Sequence, residues 1–188
     1  QSIFIEDGVI VELGKGVGSK GGVVIDGRGK VALPGLVNTH THLSMTLFRG
    51  YADDMHLKEW LEEKIWPLER RLKGEHCYAG ALLGCLEMVK TGTTCLLDMY
   101  FHTKDVARAI DESGLRGFVS HAIIDQMNPD IGSEQMMVVE GSVRSVRELG
   151  NPKIGVAISP HSPYSCSEET LMKAKEAAER YNTLLHIH

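Results

Sequence analysis

From Leu36 to His188, short apolar runs of strand length alternate with longer stretches of helical periodicity, and that alternation confines the chain to one class of fold. An apolar run through Val37 leads to His42. Apolar residues at Leu57, Trp60, Leu61, Ile65, Leu68 and Leu72 then follow helical spacing, with Pro67 placed to kink or divide the helix. A second helix is expected over Glu75–Lys90, stopped by Thr91-Gly92. Strands at Thr93–Asp98, Gly117–His121, Lys153–Ser159 and Thr183–His188 are separated by helices at Thr103–Glu112, at Ser133–Leu149 and from the Ser167 cap through Tyr181. Strict βα alternation means parallel strands with helices outside them. His42, Asp98, His121, His161 and His188 fall at or just past strand ends, which is how a (β/α)8 barrel builds a site on its C-terminal rim. A doubly wound sheet is the competing architecture, but no Gly-x-Gly-x-x-Gly follows the first strand. The expected class is therefore α/β, a partial TIM (β/α)8 barrel of about five βα units. Five strands cannot close a barrel, so two parallel edges should be left without partners.

The beginning of the chain follows another pattern. Ser2–Ile5 and Val9–Leu13 flank Glu6-Asp7-Gly8, a hairpin signal, and Val23–Asp26 has the look of a further strand closed by Gly27-Arg28-Gly29. Residues 1–34 are expected to be part of a small N-terminal β-sandwich, and residues 35–188 the N-terminal portion of the barrel. So few antiparallel strands are not stable alone and should pair with something else. The sequence opens on Gln1 inside one strand and stops at His188 at the end of another, so both ends are expected to be cuts in a longer protein.

Composition excludes several classes of function. A net charge of −5 without any Lys/Arg block argues against a nucleic-acid partner. No apolar run is long enough to cross a bilayer and no signal peptide is visible, so neither a membrane nor export is expected. Cys77, Cys85, Cys95 and Cys166 have no Cys-x-x-Cys spacing and are expected to be reduced, mostly buried thiols of a cytoplasmic protein.

The chemistry centres on Pro34-Gly35-Leu36-Val37-Asn38-Thr39-His40-Thr41-His42. Residues two apart on a strand point to the same face, so the His40 and His42 imidazoles leave the strand end together and can lean onto one metal ion. Asn38 and the two threonines are placed to orient the rings. The spacing by itself is a weak signal; the expected buried strand, and polar residues only where it stops, favour metal ligation over a structural histidine pair.

Taken together these stretches resemble the amidohydrolase superfamily, in the branch that holds nucleoside and purine deaminases and triazine chlorohydrolases. The resemblance runs through Leu33–His42, Trp66-Pro67-Leu68-Glu69, Thr91-Gly92-Thr93-Thr94, Ser159-Pro160-His161-Ser162-Pro163-Tyr164 and His186-Ile187-His188, and is nearest to the 5-methylthioadenosine/S-adenosylhomocysteine deaminases. It implies that His40, His42 and His188 bind one divalent metal, zinc first, with Fe2+ or Mn2+ as alternatives. It implies that Glu69 binds the ribose hydroxyls of a small nucleoside and that His161 contacts the purine, with Trp66 walling the same pocket. It further implies a homo-oligomeric enzyme in which a metal-activated hydroxide attacks C6 of adenine and ammonia leaves. The glutamate that handles protons, a sixth-strand histidine and an eighth-strand aspartate of the family fall beyond residue 188, so no catalytic acid/base is assigned within this chain. Residues 1–188 alone are accordingly expected to be inactive. Chlorohydrolase or guanine deaminase chemistry is the alternative within the branch, and an inert barrel fragment the alternative of another class. The arginine that some members use for an amino-acid tail should lie upstream of Lys153, where this sequence has Met136 and Met137.

Other candidates carry plainer expectations. His186 should be a hydrogen-bonded core residue one layer below His188, and His121 either a support for the site or structural. His56, His76 and His102 should be solvated. Asp98 should cap local amides or support a ligand, and Cys166 has no reason to be nucleophilic.

Overall fold

The computed structural model describes residues 1–17 and 22–188, which divide into two compact units, Gln1–Pro34 and Gly35–His188. In the first unit, β1 (Ser2–Glu6) and β2 (Val9–Gly14) pair antiparallel around the Asp7-Gly8 turn, where both residues have positive φ (+49° and +76°), as a tight hairpin requires. The strand expected at Val23–Asp26 is absent. Val23, Val24 and Ile25 are exposed, and Asp26 instead closes a local turn by accepting the Arg28 backbone N–H (3.0 Å) and guanidinium (2.7 Å).

The second unit is built on a five-stranded parallel sheet in sequential order. Its strands are β3 (Leu36–Thr41), β4 (Thr93–Tyr100), β5 (Arg116–Ile123), β6 (Ile154–Pro160) and β7 (Leu184–Leu185). Sequential order with helical crossovers is the arrangement of a barrel wall, here part of a TIM barrel. The expected buried character of the first strand does not hold: Leu36 and Val37 are 61% and 65% exposed, because β3 is an edge strand bonded on one side only. The final strand is shorter than expected, although the His186 N–H still donates to Ile158 O (2.9 Å) and the His188 N–H to His161 O (3.2 Å).

Between β3 and β4 the helix expected over Leu57–Leu72 is broken into α1 (Leu57–Glu59), a π-helical turn (Trp60–Ile65) and α2 (Trp66–Glu69). Pro67 has no N–H to donate and its ring crowds the preceding turn, so the chain widens just before it. A 3-10 helix at Leu43–Phe48 then seats on α3 (Gly74–Thr91) where two glycines allow close approach. A Cβ at Gly80 would lie 2.6 Å from Ser44 O, and one at Gly84 2.7 Å from a Leu43 methyl. Ser44 Oγ and Thr46 Oγ1 donate to the Cys77 and Gly80 carbonyls (3.0 and 2.7 Å) and fix that contact.

The remaining helices are α4 (Thr103–Ser113), α5 (Pro129–Arg147) and α6 (Glu168–Tyr181). α5 starts four residues before the expected Ser133, because Pro129 suits the first turn and Asn128 Oδ1 caps it by accepting the Asp130 N–H (3.0 Å). Ser167 caps α6 as expected, accepting the Thr170 N–H at 3.3 Å. The core lies between sheet and helices, with Leu96, Val119 and Ile158 from the strands meeting Ile110, Val143 and Ala174. Cys77, Cys85 and Cys166 are buried and all four cysteines are free.

Candidate metal centre and substrate cavity

Three imidazoles from opposite edges of the sheet meet at one place. His40 and His42 leave the end of β3, His188 follows β7, and their ligand nitrogens lie within 4.8 Å of one another. A flat sheet with strands about 4.8 Å apart would hold these two edges roughly 19 Å from each other. The convergence is therefore produced by the curl of the sheet.

The geometry fits a metal. Two nitrogens each about 2.0–2.1 Å from one tetrahedral ion lie roughly 3.3–3.4 Å apart. His40 Nε2 and His42 Nε2 are 3.3 Å apart. The His42 Nδ1 is 2.7 Å from Met99 O; a carbonyl only accepts, so Nδ1 carries the hydrogen and Nε2 keeps its lone pair for a metal. Asp98, the residue before Met99, ties down the residues on both sides of His42. Its Oδ1 accepts the Thr41 hydroxyl (2.9 Å) and the Leu43 N–H (2.6 Å). Asp98 thus takes its donors from the end of the neighbouring strand rather than from local amides, and by doing so it holds His42 in register.

Electrostatics favour the neutral form that ligation needs. Burial is the main reason that His42 titrates below the ordinary histidine range; the Met99 carbonyl opposes it, and the His188 and His40 rings add to it. His188 is lowered chiefly by burial as well. His186, two residues earlier, is half-buried, held at about 4 by burial and the neighbouring histidines, and lies 3.4 Å through Nδ1 from Ser159 Oγ. Among the described residues, the group able to hold an ion contains His40, His42 and His188 and leaves His186 out.

His161 sits against this cluster, its ring 4.6 Å from that of His188 and edge-on to it. Its Nδ1 is engaged by Ser165 Oγ (2.8 Å) and Ser162 Oγ (3.2 Å), and burial followed by the His188 and His42 rings lowers it to about 4.

Glu69 and Trp66 stand on the wall of a neighbouring cavity of about 910 Å³, together with Phe101, His121, Gln126 and Gln135. Burial raises the Glu69 carboxyl, and the Tyr100 hydroxyl, donating at 2.8 Å, partly offsets this. The Tyr100 ring is 6.4 Å from that of His42, so one buried tyrosine separates the carboxylate from the metal centre. The structure brings Trp66 and Glu69 together on the cavity and places His161 beside His188 instead. His121 is buried with Nε2 2.7 Å from Gln135 Oε1, also on the cavity wall. His102, expected to be solvated, is exposed but lines the cavity and bonds Leu72 O at 3.3 Å.

Sequence reasoning missed Met99 and Tyr100. A backbone carbonyl leaves no mark in a sequence, but a tyrosine two residues past a strand-end aspartate carries a signal that could have been used.

Residues 31–188 match the amidohydrolase family. The chain is 47% identical over 188 residues to a 5'-deoxyadenosine deaminase of Methanothermobacter thermautotrophicus, covering all of this chain and 44% of the relative. It is 48% identical over 187 residues to a 5'-deoxyadenosine deaminase of Methanosarcina acetivorans, covering 100% of this chain and 43% of the relative. Among solved structures, an adenosine deaminase from Xanthomonas campestris with bound zinc superposes with a TM-score of 0.70 at 33% identity, over 82% of this chain and 36% of that one. The chain therefore spans less than half the length of the curated relatives it matches. With the family match reaching across the whole second unit and the three-histidine centre inside it, this chain belongs to the amidohydrolase family.

Proposed function

We propose that this chain carries the metal-binding and ribose-binding part of a zinc-dependent deaminase of adenine nucleosides bearing a small uncharged 5′ group, 5'-deoxyadenosine or 5-methylthioadenosine. The supporting observation is the convergence of His40, His42 and His188 with Glu69 one tyrosine away. A divalent ion held there supplies a water molecule with its pKa lowered to about 7. The chain's own residues do the positioning. Met99 O fixes the His42 tautomer, and Glu69, kept in place by Tyr100, accepts the ribose hydroxyls. Trp66 walls the pocket, and His161, beside His188 and off the cavity wall, is assigned to the purine. No residue of this chain is assigned the proton transfer.

The relatives named 5'-deoxyadenosine deaminases support the uncharged 5′ group. Arg70 and Lys104 stand on the cavity wall with Glu69 and Asp105. Arg147 donates to Tyr181 O (2.9 Å), and Arg144 shares a separate groove with both. Met137 is exposed and Met136 packs on the core, so neither supplies a cation for an amino-acid tail.

The test is ammonia release by the full-length protein with 5'-deoxyadenosine, methylthioadenosine, S-adenosylhomocysteine and free adenine. The first two should be preferred, and Glu69→Gln should depress nucleoside turnover far more than turnover of the base. Equal loss on nucleoside and base would remove the ribose assignment.

A further inference from the structure

The turn after β5 holds strain that the deamination reading leaves unused. Gln126 and Met127 are consecutive non-glycine residues with φ of +51° and +64°. L side chains resist that conformation, and it persists only where the surroundings over-determine it. Here they do so through Asp125, whose carboxylate is 0% exposed. Its Oδ1 accepts the N–H groups of Met127 (2.8 Å) and Ser167 (2.9 Å), and its Oδ2 accepts the Ser167 hydroxyl (2.5 Å). The Asp125 and Gln126 N–H groups both donate to Ser165 O (3.2 and 3.0 Å), and the Asn128 N–H donates to Asp125 O (2.9 Å). Burial pushes the Asp125 carboxyl up, but its donors from Ser167, Thr170 and Met127 more than offset this and hold it below the usual range.

The turn and the loop from Pro160 to Ser167 are thereby tied together, and each carries a residue that reaches the site. Gln126 lies on the cavity wall with Glu69. Ser165, whose carbonyl takes both turn amides, places its hydroxyl 2.8 Å from His161 Nδ1. Ser162, 0% exposed, closes the cluster at 2.7 Å from Ser165 Oγ.

We propose that Asp125 is a positioning residue: its buried carboxylate locks the strained Gln126–Met127 turn to the Ser162–Ser167 loop, so that one network sets both the cavity wall at Gln126 and the His161 ring beside His188. This rests on the reading that the cavity and His161 face the nucleoside.

Three variants of the full-length, metal-loaded enzyme test it: Asp125→Ala, Asp125→Asn, and Asp125→Ala combined with Met127→Gly. The readouts are the imidazole NMR signals of the 15N-labelled histidines, zinc content, melting temperature, and KM against kcat for 5'-deoxyadenosine. Asp125→Ala should shift or broaden the His161 signals and leave those of His40 and His42, and the zinc content, unchanged. KM should rise on the order of tenfold with kcat held within about threefold. Asp125→Asn keeps an acceptor at Oδ1 and should fall between the wild type and Asp125→Ala. Adding Met127→Gly relieves the left-handed strain, so it should recover melting temperature without recovering KM or the His161 signals. Should Asp125→Ala be unfolded, the combined variant and Asp125→Asn carry the same comparison. The proposal is overturned if variants lower the melting temperature while His161 and KM stay as in the wild type. If the wild type releases no ammonia from any nucleoside, the deamination reading fails, and the His161 signals still decide the role of Asp125.

Discussion

Replacing Asp98 by Asn gives a direct reading of what it costs to hold His42. Asp98 is 1% exposed, and burial raises its carboxyl from 3.8 to about 7 against the opposing donors Leu43 N–H and Thr41 Oγ1. A carboxyl raised on folding contributes stability that is complete below pH 3.8 and lost as pH rises through about 7, because the folded state binds the extra proton in that window. At 1.36 kcal/mol per unit, metal-free wild-type protein bears a penalty of about 2 kcal/mol at pH 5 and about 4 kcal/mol at pH 8. The substituted asparagine amide has no proton to lose and can present its own Oδ1 to both donors, so the stability of the Asp98→Asn protein lacks this slope.

The quantity to measure is a difference of differences. Urea unfolding of wild type and Asp98→Asn, in chelator, at pH 5 and pH 8 cancels every histidine the two proteins share. The variant should gain roughly 2–3 kcal/mol on the wild type between the two pH values, or about 1 M in midpoint for a slope of 2–3 kcal/mol/M. Adding zinc should shrink the gap, because a nearby cation favours the carboxylate. A gap below about 1 kcal/mol, with both proteins folded, would show that Asp98 is ionised and solvated enough to escape the burial penalty.

Three more outcomes follow from the geometry. His42→Ala should abolish stoichiometric zinc binding while His186→Ala retains it, read by metal analysis after gel filtration; loss of zinc from both would move His186 into the ligand set. Gly80→Ala should destabilise by about 1–3 kcal/mol, because its Cβ meets Ser44 O at 2.6 Å. Gly141→Ala in α5 meets nothing within 4 Å and should stabilise by about 0.5–1 kcal/mol, both read by thermal unfolding.

The helices and strand order were legible because they rest on local chemistry. The Ser167 cap, the stop at Gly92 and the apolar periodicity need no knowledge of the partners. Where an expectation failed, a missing or competing partner explains it. Val23–Ile25 is apolar enough for a strand, yet Asp26 finds its donors two residues away at Arg28 and no ladder forms. Leu36 and Val37 look like a buried strand, but burial depends on having a neighbour on both sides, which an edge strand lacks. Pro67 signalled a break without revealing that it takes the form of a π turn ahead of Trp66 and Glu69.

The three-histidine cluster shows the same limit at closer range. His40, His42 and His188 could be named from their residue types and strand-end positions, but two of the three are held from beyond their own strand. His42 is oriented by the Met99 carbonyl on β4 and pinned by Asp98, and the His188 backbone is hung on the His161 carbonyl just past β6. His42 and His188 therefore take their places from the adjacent strand, and the distance between the two edges follows from the curvature summed over five strands. Residue identity lies in the linear pattern, whereas the ångström-level placement of His42 comes from cross-strand hydrogen bonds whose register is set 55 residues or more away in sequence. A small change of strand pairing at β4 would leave every motif intact and still separate the imidazoles, so the integrity of this centre is a property of the sheet before it is a property of the histidines.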